Sequence, residues 1–281
     1  MLFRMPSSIV PPPFEALPAE VKTWVHDASA LLKVMPVEQP GTLSFASSLF
    51  KYDCPVELES LIKQCLIDPL QDKFNEYHGP DSESLLADLL SRTEIEKYYV
   101  STLAKNLEKA RCSHSFDQFI ECIEAASSHF LKERSTIRTW PVYLAPDVKG
   151  HYVEYMNHSV VKDTLLMAFR TMLDEQAPVL YRASVSYVLL VAAHPFRDGN
   201  GRLSRTLFNA ILINEGMRED AYISLKQISY LSRGALAIQL RRAQMRNVWP
   251  PVLAGLSGAV ILTDYIRRSC LSQARGMTNP A

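Results

Sequence analysis

The chain has 281 residues, which is enough for one large domain or two modest ones. Hydrophobic residues make up 47% of it and charged residues 21%, a composition typical of a folded globular protein. Thirty basic and thirty acidic residues cancel, so no overall field attracts nucleic acid or an anionic membrane.

The five cysteines form no CxxC pair, and no Cys/His spacing fits a zinc site. Reduced, mostly buried thiols suit a cytoplasmic protein. The N-terminus lacks the apolar core of a signal peptide, and the most apolar later run, residues 248–262, is shorter than the ~20 residues that a membrane span needs. We therefore expect no membrane span, and either a cytoplasmic location or export as an effector without a signal peptide.

Helical patterns dominate the first half of the chain, after a proline-rich, extended start at residues 1–18. Helices are expected over Pro18–Met35, over 56–77 with an interruption at Pro69, from Ser82 or Ser84 to Arg111, and over Phe116–Thr136. The segments Thr139–Leu144 and His151–Tyr155 are then short, β-branched and aromatic, and the loop between them contains Pro, Asp and Gly. This pattern predicts a β-hairpin, the only two strands expected in the chain.

Helices are expected again in the second half. They run from a cap at Ser159 to Asp174, from Pro178 to His194, from Gly199 to Asn214 with Gly216 after the end, over 222–247 and over 252–273. The predicted fold is therefore mainly α, a helical bundle with one short hairpin. We divide it into an N-terminal helical extension (1–100), a core (101–250) and a C-terminal helix that packs on the core (251–281).

The stretch from His194 to Arg205 contains most of the residues that could carry chemistry. Glycines let a backbone approach an anion closely, and the free N–H groups of the next helix point to the same place. Arg202 and Arg205 are three residues apart, so they share a helix face and offer fork-shaped donors to phosphate oxygens. The Asp198 carboxylate could hold Mg²⁺, and the His194 imidazole could accept a proton from an attacking hydroxyl. Each residue taken singly is ordinary; their conjunction predicts a triphosphate site.

This stretch resembles the signature of the Fic family, HxFx(D/E)GNGRxxR. The sequence matches it at every defined position, namely His194, Phe196, Asp198, Gly199, Asn200, Gly201, Arg202 and Arg205. The wider resemblance covers about residues 100–250. It implies a Fic-type helical bundle, in which Phe196 points into the core and the hairpin is a flap over the active-site loop.

The resemblance implies a protein adenylyltransferase, which transfers AMP from ATP to a Tyr, Thr or Ser hydroxyl of a target protein. His194 would be the general base and Asp198 the ligand of Mg²⁺. The turn 199–201 would hold the α-phosphate, with the Asn200 side-chain amide as an additional donor. Arg202 and Arg205 would bind the β- and γ-phosphates.

Fic flaps are expected to dock the target by adding backbone hydrogen bonds to a strand edge. The residues expected to make these contacts are Tyr143, Leu144, His151, Tyr152 and Val153. A small structural hairpin that covers the core is the alternative interpretation.

Many Fic proteins also carry an inhibitory helix with the pattern (S/T)xxxE(G/N), whose glutamate pairs with the second arginine of the signature. The nearest candidate is Glu96 in the segment RTEIEK, where Arg92 replaces the Ser/Thr and Lys97 the Gly/Asn. On a helix with this much charge, a solvent-facing Glu96 is the simpler interpretation. The chain would then be unrestrained, or restrained by a separate antitoxin protein.

Several alternatives stay open at this level. A Fic-fold enzyme could use another nucleotide or transfer another phosphate-linked group, and a catalytically silent module could merely bind the nucleotide. ATP, a target protein, self-modification, an antitoxin and a homodimer are the partners to consider. The arginines at 233, 241, 242 and 246 are interpreted as a solvated helix face or a surface that contacts a partner, and no nucleic-acid partner is expected.

Overall fold

The computed structural model describes residues 2–37, 82–144, 150, 152–232 and 234–277. The helix expected over 56–77 lies outside these residues. Within them, helices form the body of the protein, as the sequence predicted for a mainly α fold, and three short strands form a small sheet.

Two helices at the centre of the body carry the signature stretch between them. Helix α5 (Val179–Ala193) is buried on almost every face, which is typical of a helix that is apolar all round. It begins after Pro178 and ends before Pro195, because proline fits the start of a helix but disfavours helical backbone in the residue before it. Helix α6 (Asn200–Asn214) follows after a short loop and packs on α5 through its apolar face.

The outer helices complete one core. The long helix α2 (Ser82–Cys112) packs on α6 and on α3 (Phe116–Leu131), while α4 (Val161–Leu173) packs on α5. Near the N-terminus, α1 (Ala19–Leu32) packs on the last helix, α9 (Pro250–Met277). The buried apolar residues from Ile9 to Ile266 form one continuous cluster. The boundaries drawn at residues 100 and 250 remain predictions.

The hairpin is present and is joined by a third strand. Strands β2 (Tyr143–Leu144) and β3 (Tyr152–Glu154) pair antiparallel, with Tyr143 opposite Glu154. Strand β1 (Leu2–Arg4) pairs parallel with the other edge of β3, and Arg4 forms an ion pair with Glu154 at 2.8 Å. The expectation of only two strands was therefore wrong. The extended N-terminal segment uses the backbone groups of a strand that would otherwise be an edge.

Three helix boundaries also differ from the predicted ones. Helix α3 ends at Leu131 because Lys132 adopts a left-handed conformation. Ser159 is not the cap of α4: a 3-10 turn, His158–Val160, precedes this helix and is capped by Asn157, whose side chain accepts from the Ser159 N–H. The helix expected over 222–247 is two helices, α7 (Leu225–Leu231) and α8 (Ala235–Arg246), divided where Gly234 has a φ of 87°.

Within the described residues, no helix combines the length and the apolar character that crossing a bilayer requires.

Candidate active site

The loop between α5 and α6 begins and ends with left-handed residues. His194 ends α5 at a φ of 45°, and Gly199 precedes α6 at a φ of 76°. A left-handed conformation costs a residue with a Cβ roughly 1–2 kcal/mol, whereas glycine adopts it freely. The loop is therefore a tight turn, in which the carboxylate of Asp198, two residues before α6, is close enough to the His194 imidazole to act on its pKa.

Asn200 closes this loop on itself. Its side-chain carbonyl accepts from the Phe196 N–H at 2.9 Å, and its amide donates to the Phe196 carbonyl at 2.8 Å. Asn200 and Phe196 are both buried, so the predicted inward position of Phe196 is confirmed. One donor of the Asn200 amide fixes the loop, and the expected contact of this amide with the α-phosphate stays a prediction. The backbone N–H groups at the start of α6 remain the predicted donors to an anion.

Both signature arginines lie against the glycine turn. A Cβ added to Gly201 would lie 3.2 Å from Nη1 of Arg205, and one added to Gly199 would lie 3.7 Å from Nη2 of Arg202. The first distance is tight and the second is an ordinary contact, so the missing side chain of Gly201 in particular leaves room for the guanidinium of Arg205. The side chain of Arg202 also donates to the Phe130 carbonyl at 3.1 Å and lies over the Phe130 ring, which fixes it to the end of α3.

Arg205 is paired with Glu96, which contradicts the solvent-facing interpretation of this glutamate. Glu96 is only 1% exposed. The Nε of Arg205 donates to both carboxylate oxygens at 3.1 Å, and its Nη2 donates to Oε1. The hydroxyl of Tyr222 donates to Oε2 at 2.6 Å. A carboxylate can be buried at this point of α2 because it receives donors from two sides.

A second contact holds this part of α2 in place. Thr93 lies one helical turn before Glu96 and is also buried. Its hydroxyl shares a hydrogen bond of 3.3 Å with Ser224 and accepts from the side chain of Gln227 at 3.3 Å. A hydroxyl is thus present one residue after position 92, where the inhibitory pattern expects it. Residues three apart lie on the same helix face, so Thr93 was recognisable from spacing, whereas Tyr222 was not.

The environment of His194 keeps its imidazole neutral. The ring stacks on that of Tyr155, with centroids 3.7 Å apart, and its Nδ1 is buried without a hydrogen bond. Burial lowers the pKa of His194 to about 4. The charges of Arg138 and Arg241 also lower this pKa, whereas the carbonyl of Val191 and the carboxylate of Asp198 raise it. The side chain is therefore unprotonated at neutral pH, the state that a general base requires.

Two of the residues that affect His194 were missed or differently interpreted in the sequence. Tyr155 belongs to the predicted second strand, but nothing in the sequence connects it with His194. Arg241 was assigned to a solvated face and is instead partly buried, with its guanidinium 5.9 Å from the centre of the Tyr155 ring.

Asp198 provides a single exposed carboxylate at the loop. One of its oxygens accepts from the Gly199 N–H at 2.6 Å. No group of three or more His, Cys, Asp or Glu side chains suited to a metal occurs among the described residues. Mg²⁺ commonly binds through one or two carboxylates together with substrate phosphates and water, so a lone carboxylate beside an anion site fits this ion.

The flap residues lie at the surface. Tyr143, Leu144 and Tyr152 are 50%, 40% and 46% exposed, and Val153 is partly buried. His151 lies outside the described residues. The exposed apolar side chains of the flap leave both the docking and the structural interpretation of the hairpin as predictions.

Comparisons with known proteins concern the fold and the central part of the chain. Residues 119–212 match the model of the Fic/DOC family. A Fic family protein from Desulfovibrio desulfuricans G20 superposes with a TM-score of 0.58 at 12% identity, over 94% of this chain and 77% of that one. A Fic domain containing signaling protein from Bacteroides thetaiotaomicron VPI-5482 gives 0.47 at 15% identity, over 92% and 97%. A fragment of Fic-1 from C. elegans gives 0.46 at 14%, over 91% and 74%. No curated protein matches the chain in sequence.

Proposed function

The chain carries a Fic/DOC family domain, and on this premise we propose that it is a protein adenylyltransferase. It would transfer AMP from ATP to the hydroxyl of a Tyr, Thr or Ser side chain on a target protein. The observation that supports this proposal best is a neutral imidazole, that of His194, at the start of the short loop whose glycine turn opens α6, with two guanidinium groups at this turn.

The arrangement suits in-line attack at the α-phosphorus of ATP. Because Nδ1 of His194 is buried, Nε2 is the nitrogen that would take the hydroxyl proton. A bond then forms between the target oxygen and the α-phosphorus, and the bond to the leaving pyrophosphate breaks. A general base of this kind typically contributes about 10²–10⁴-fold to the rate.

The turn and the start of α6 would stabilise the phosphate charge during this step. The first backbone N–H groups of a helix point along its positive end, and the bonds between Asn200 and Phe196 fix the loop that precedes them. Arg202 and Arg205 would bind the β- and γ-phosphates. Mg²⁺ held by Asp198 and the nucleotide would offset part of the charge on the leaving group.

We further propose that Glu96 restrains this activity. Arg205 donates three hydrogen bonds to Glu96, so the guanidinium that would bind the γ-phosphate already has an anionic partner. Thr93 and Tyr222 hold this partner in position. The nucleotide would then have to compete with a buried carboxylate for Arg205.

The flap would provide the docking edge for the target. Strands that pair through backbone groups can accept a segment of any sequence, and side-chain pockets then select among such segments. The exposed side chains of Tyr143, Leu144 and Tyr152 are positioned to contact such a segment.

The transfer reaction is tested by mass spectrometry. The wild-type protein and Glu96→Ala are incubated separately with ATP and Mg²⁺, with and without lysate, and then mapped for covalent AMP on the chain or on other proteins. His194→Ala is the control, and it should bind ATP by calorimetry without transferring AMP. Parallel reactions with GTP, UTP and CTP test the base preference.

Three results would contradict the proposal. Transfer by His194→Ala at the wild-type rate would exclude the assigned base. Calorimetric binding without covalent product in any reaction would favour a silent nucleotide-binding module. Transfer of a different group, or only from another nucleotide, would favour the alternative Fic chemistries.

A further inference from the structure

Arg138 lies between α3 and the flap and is almost completely buried, with 1% of its surface exposed. Its Nε donates to the His194 carbonyl at 2.7 Å, and its Nη2 donates to the Ala193 carbonyl at 3.1 Å. On the flap side, Nη1 donates to the Trp140 carbonyl at 2.8 Å, and Nη2 also donates to the Met156 carbonyl. One guanidinium therefore connects the residues on both sides of the flap with the end of α5.

The four acceptors of this guanidinium are all backbone carbonyls. Burial lowers the pKa of Arg138, and the nearby carboxylate of Glu154 opposes this change. A buried charge is unfavourable unless its environment compensates it. The last carbonyls of α5 provide such compensation, because they have no partners within the helix and carry the negative end of its dipole.

The backbone and a ring contact reinforce the same connection. The Arg138 N–H donates to the Pro195 carbonyl at 2.8 Å, immediately after His194. Tyr155 precedes Met156 in the chain, and its ring is the one that stacks on the His194 imidazole. The flap therefore contacts His194 directly through Tyr155 and indirectly through Arg138.

We propose that Arg138 is a positioning residue, which holds the His194 backbone and the flap in one fixed relation. This inference rests on the proposed transfer activity, in which a hydroxyl docked at the flap meets the imidazole of His194. The planar guanidinium can reach carbonyls on both sides at once, whereas a lysine ammonium is a point donor and reaches fewer of them. Without Arg138, the position of the docked hydroxyl relative to the imidazole of His194 is no longer fixed, although the residues that would bind phosphate are unchanged.

The test compares Arg138→Lys and Arg138→Met with a matched substitution, Arg182→Lys. Arg182 is also buried and donates to two backbone carbonyls, at Met172 and Ala177, but it lies at the opposite end of α5. All variants are made in a Glu96→Ala parent, so that the proposed restraint does not limit the rate. Thermal unfolding identifies the folded fraction of each protein.

In the Arg138 variants, kcat should fall on the order of 10²-fold, the loss expected from a misplacement of about 1 Å, while KM for ATP is unchanged. Arg182→Lys should keep the kcat of the parent. Partial unfolding also lowers the apparent kcat at constant KM, so kcat is calculated per mole of folded protein. A fall in kcat that remains at constant KM then indicates an interaction needed in the transition state. Equal kcat values for folded Arg138→Lys and Arg182→Lys would overturn the inference.

A second measurement does not depend on transfer. The Cε1 proton signal of His194, assigned by its absence in His194→Ala, should be shifted by the stacked Tyr155 ring. This ring-current shift should change in Arg138→Lys and persist in Arg182→Lys. An unchanged signal in Arg138→Lys would reject the positioning role. If the parent transfers no nucleotide, the proposed function fails while this signal still decides the role of Arg138.

Discussion

Replacing Glu96 by alanine should make the protein less stable and more active. The side chains of Glu96 and Arg205 are 2% and 13% exposed, so the substitution leaves a nearly buried guanidinium without its counter-ion. Breaking a buried pair in this way costs about 3–5 kcal/mol. For a chain of this size, the melting temperature should fall on the order of 10 °C.

ATP with Mg²⁺ should reverse much of this loss. A ligand at 100 times its Kd stabilises the folded state by about 2.7 kcal/mol. In the wild type, the same concentration of ATP is a smaller multiple of Kd, because the nucleotide competes with Glu96 for Arg205. The nucleotide-induced rise in melting temperature should therefore be larger in Glu96→Ala than in the wild type.

The assay combines thermal unfolding, with and without ATP and Mg²⁺, and the rate of covalent AMP incorporation. Glu215→Ala is the matched control. Glu215 forms an ion pair with the buried Arg182, with 3.0 Å between the charged atoms, and this pair does not involve the loop. It should lower stability without raising the transfer rate. A Glu96→Ala protein that transfers no faster than the wild type, or that gains no more stability from ATP, would refute a restraining role for Glu96.

Three further outcomes are expected. Because burial holds the folded-state pKa of His194 at about 4, the rate of transfer should be constant from about pH 8 to about pH 5 and fall at lower pH. The pKa of a histidine in the unfolded chain is about 6.5. The contribution of His194 to the free energy of unfolding, about 3 kcal/mol, should therefore be lost as the pH falls from about 6.5 to 4. Tyr222→Phe should raise transfer partially and cost about 1.5–3 kcal/mol, measured by denaturant unfolding, whereas Tyr181→Phe, which removes another buried hydroxyl, should leave transfer unchanged. Asn200→Ala removes both hydrogen bonds to Phe196, and calorimetry should show weaker ATP binding.

The sequence predicted the loop well because its residues are adjacent in the chain. One helix ends before a proline and the next starts after a glycine, so the stretch from His194 to Arg205 is a short loop followed by the start of α6. The directions of the side chains in this loop could not be predicted as well from the sequence. The Asn200 amide satisfies the backbone of Phe196, and this preference depends on the closed shape of the loop, which no residue pattern reveals.

Contacts between distant segments were not predictable from pattern. Glu96 lies on a strongly charged helix, and its burial depends on Tyr222, which is 126 residues further along the chain. Arg138 meets the end of α5, 56 residues away, and its neighbours in the sequence give no sign of this. A charged residue on a polar helix is normally solvated, so only the packing of α2 on α6 shows that Glu96 is buried.

The strand order of the small sheet has a practical consequence for any label or fusion. Since β1 occupies one edge of β3, a guest peptide that extends the sheet beside the described residues would do so along Tyr143–Leu144. Anything attached ahead of Leu2 would emerge at the opposite rim, next to Tyr152. An affinity tag placed there would lie across the sheet from Tyr143–Leu144 and would leave that edge open.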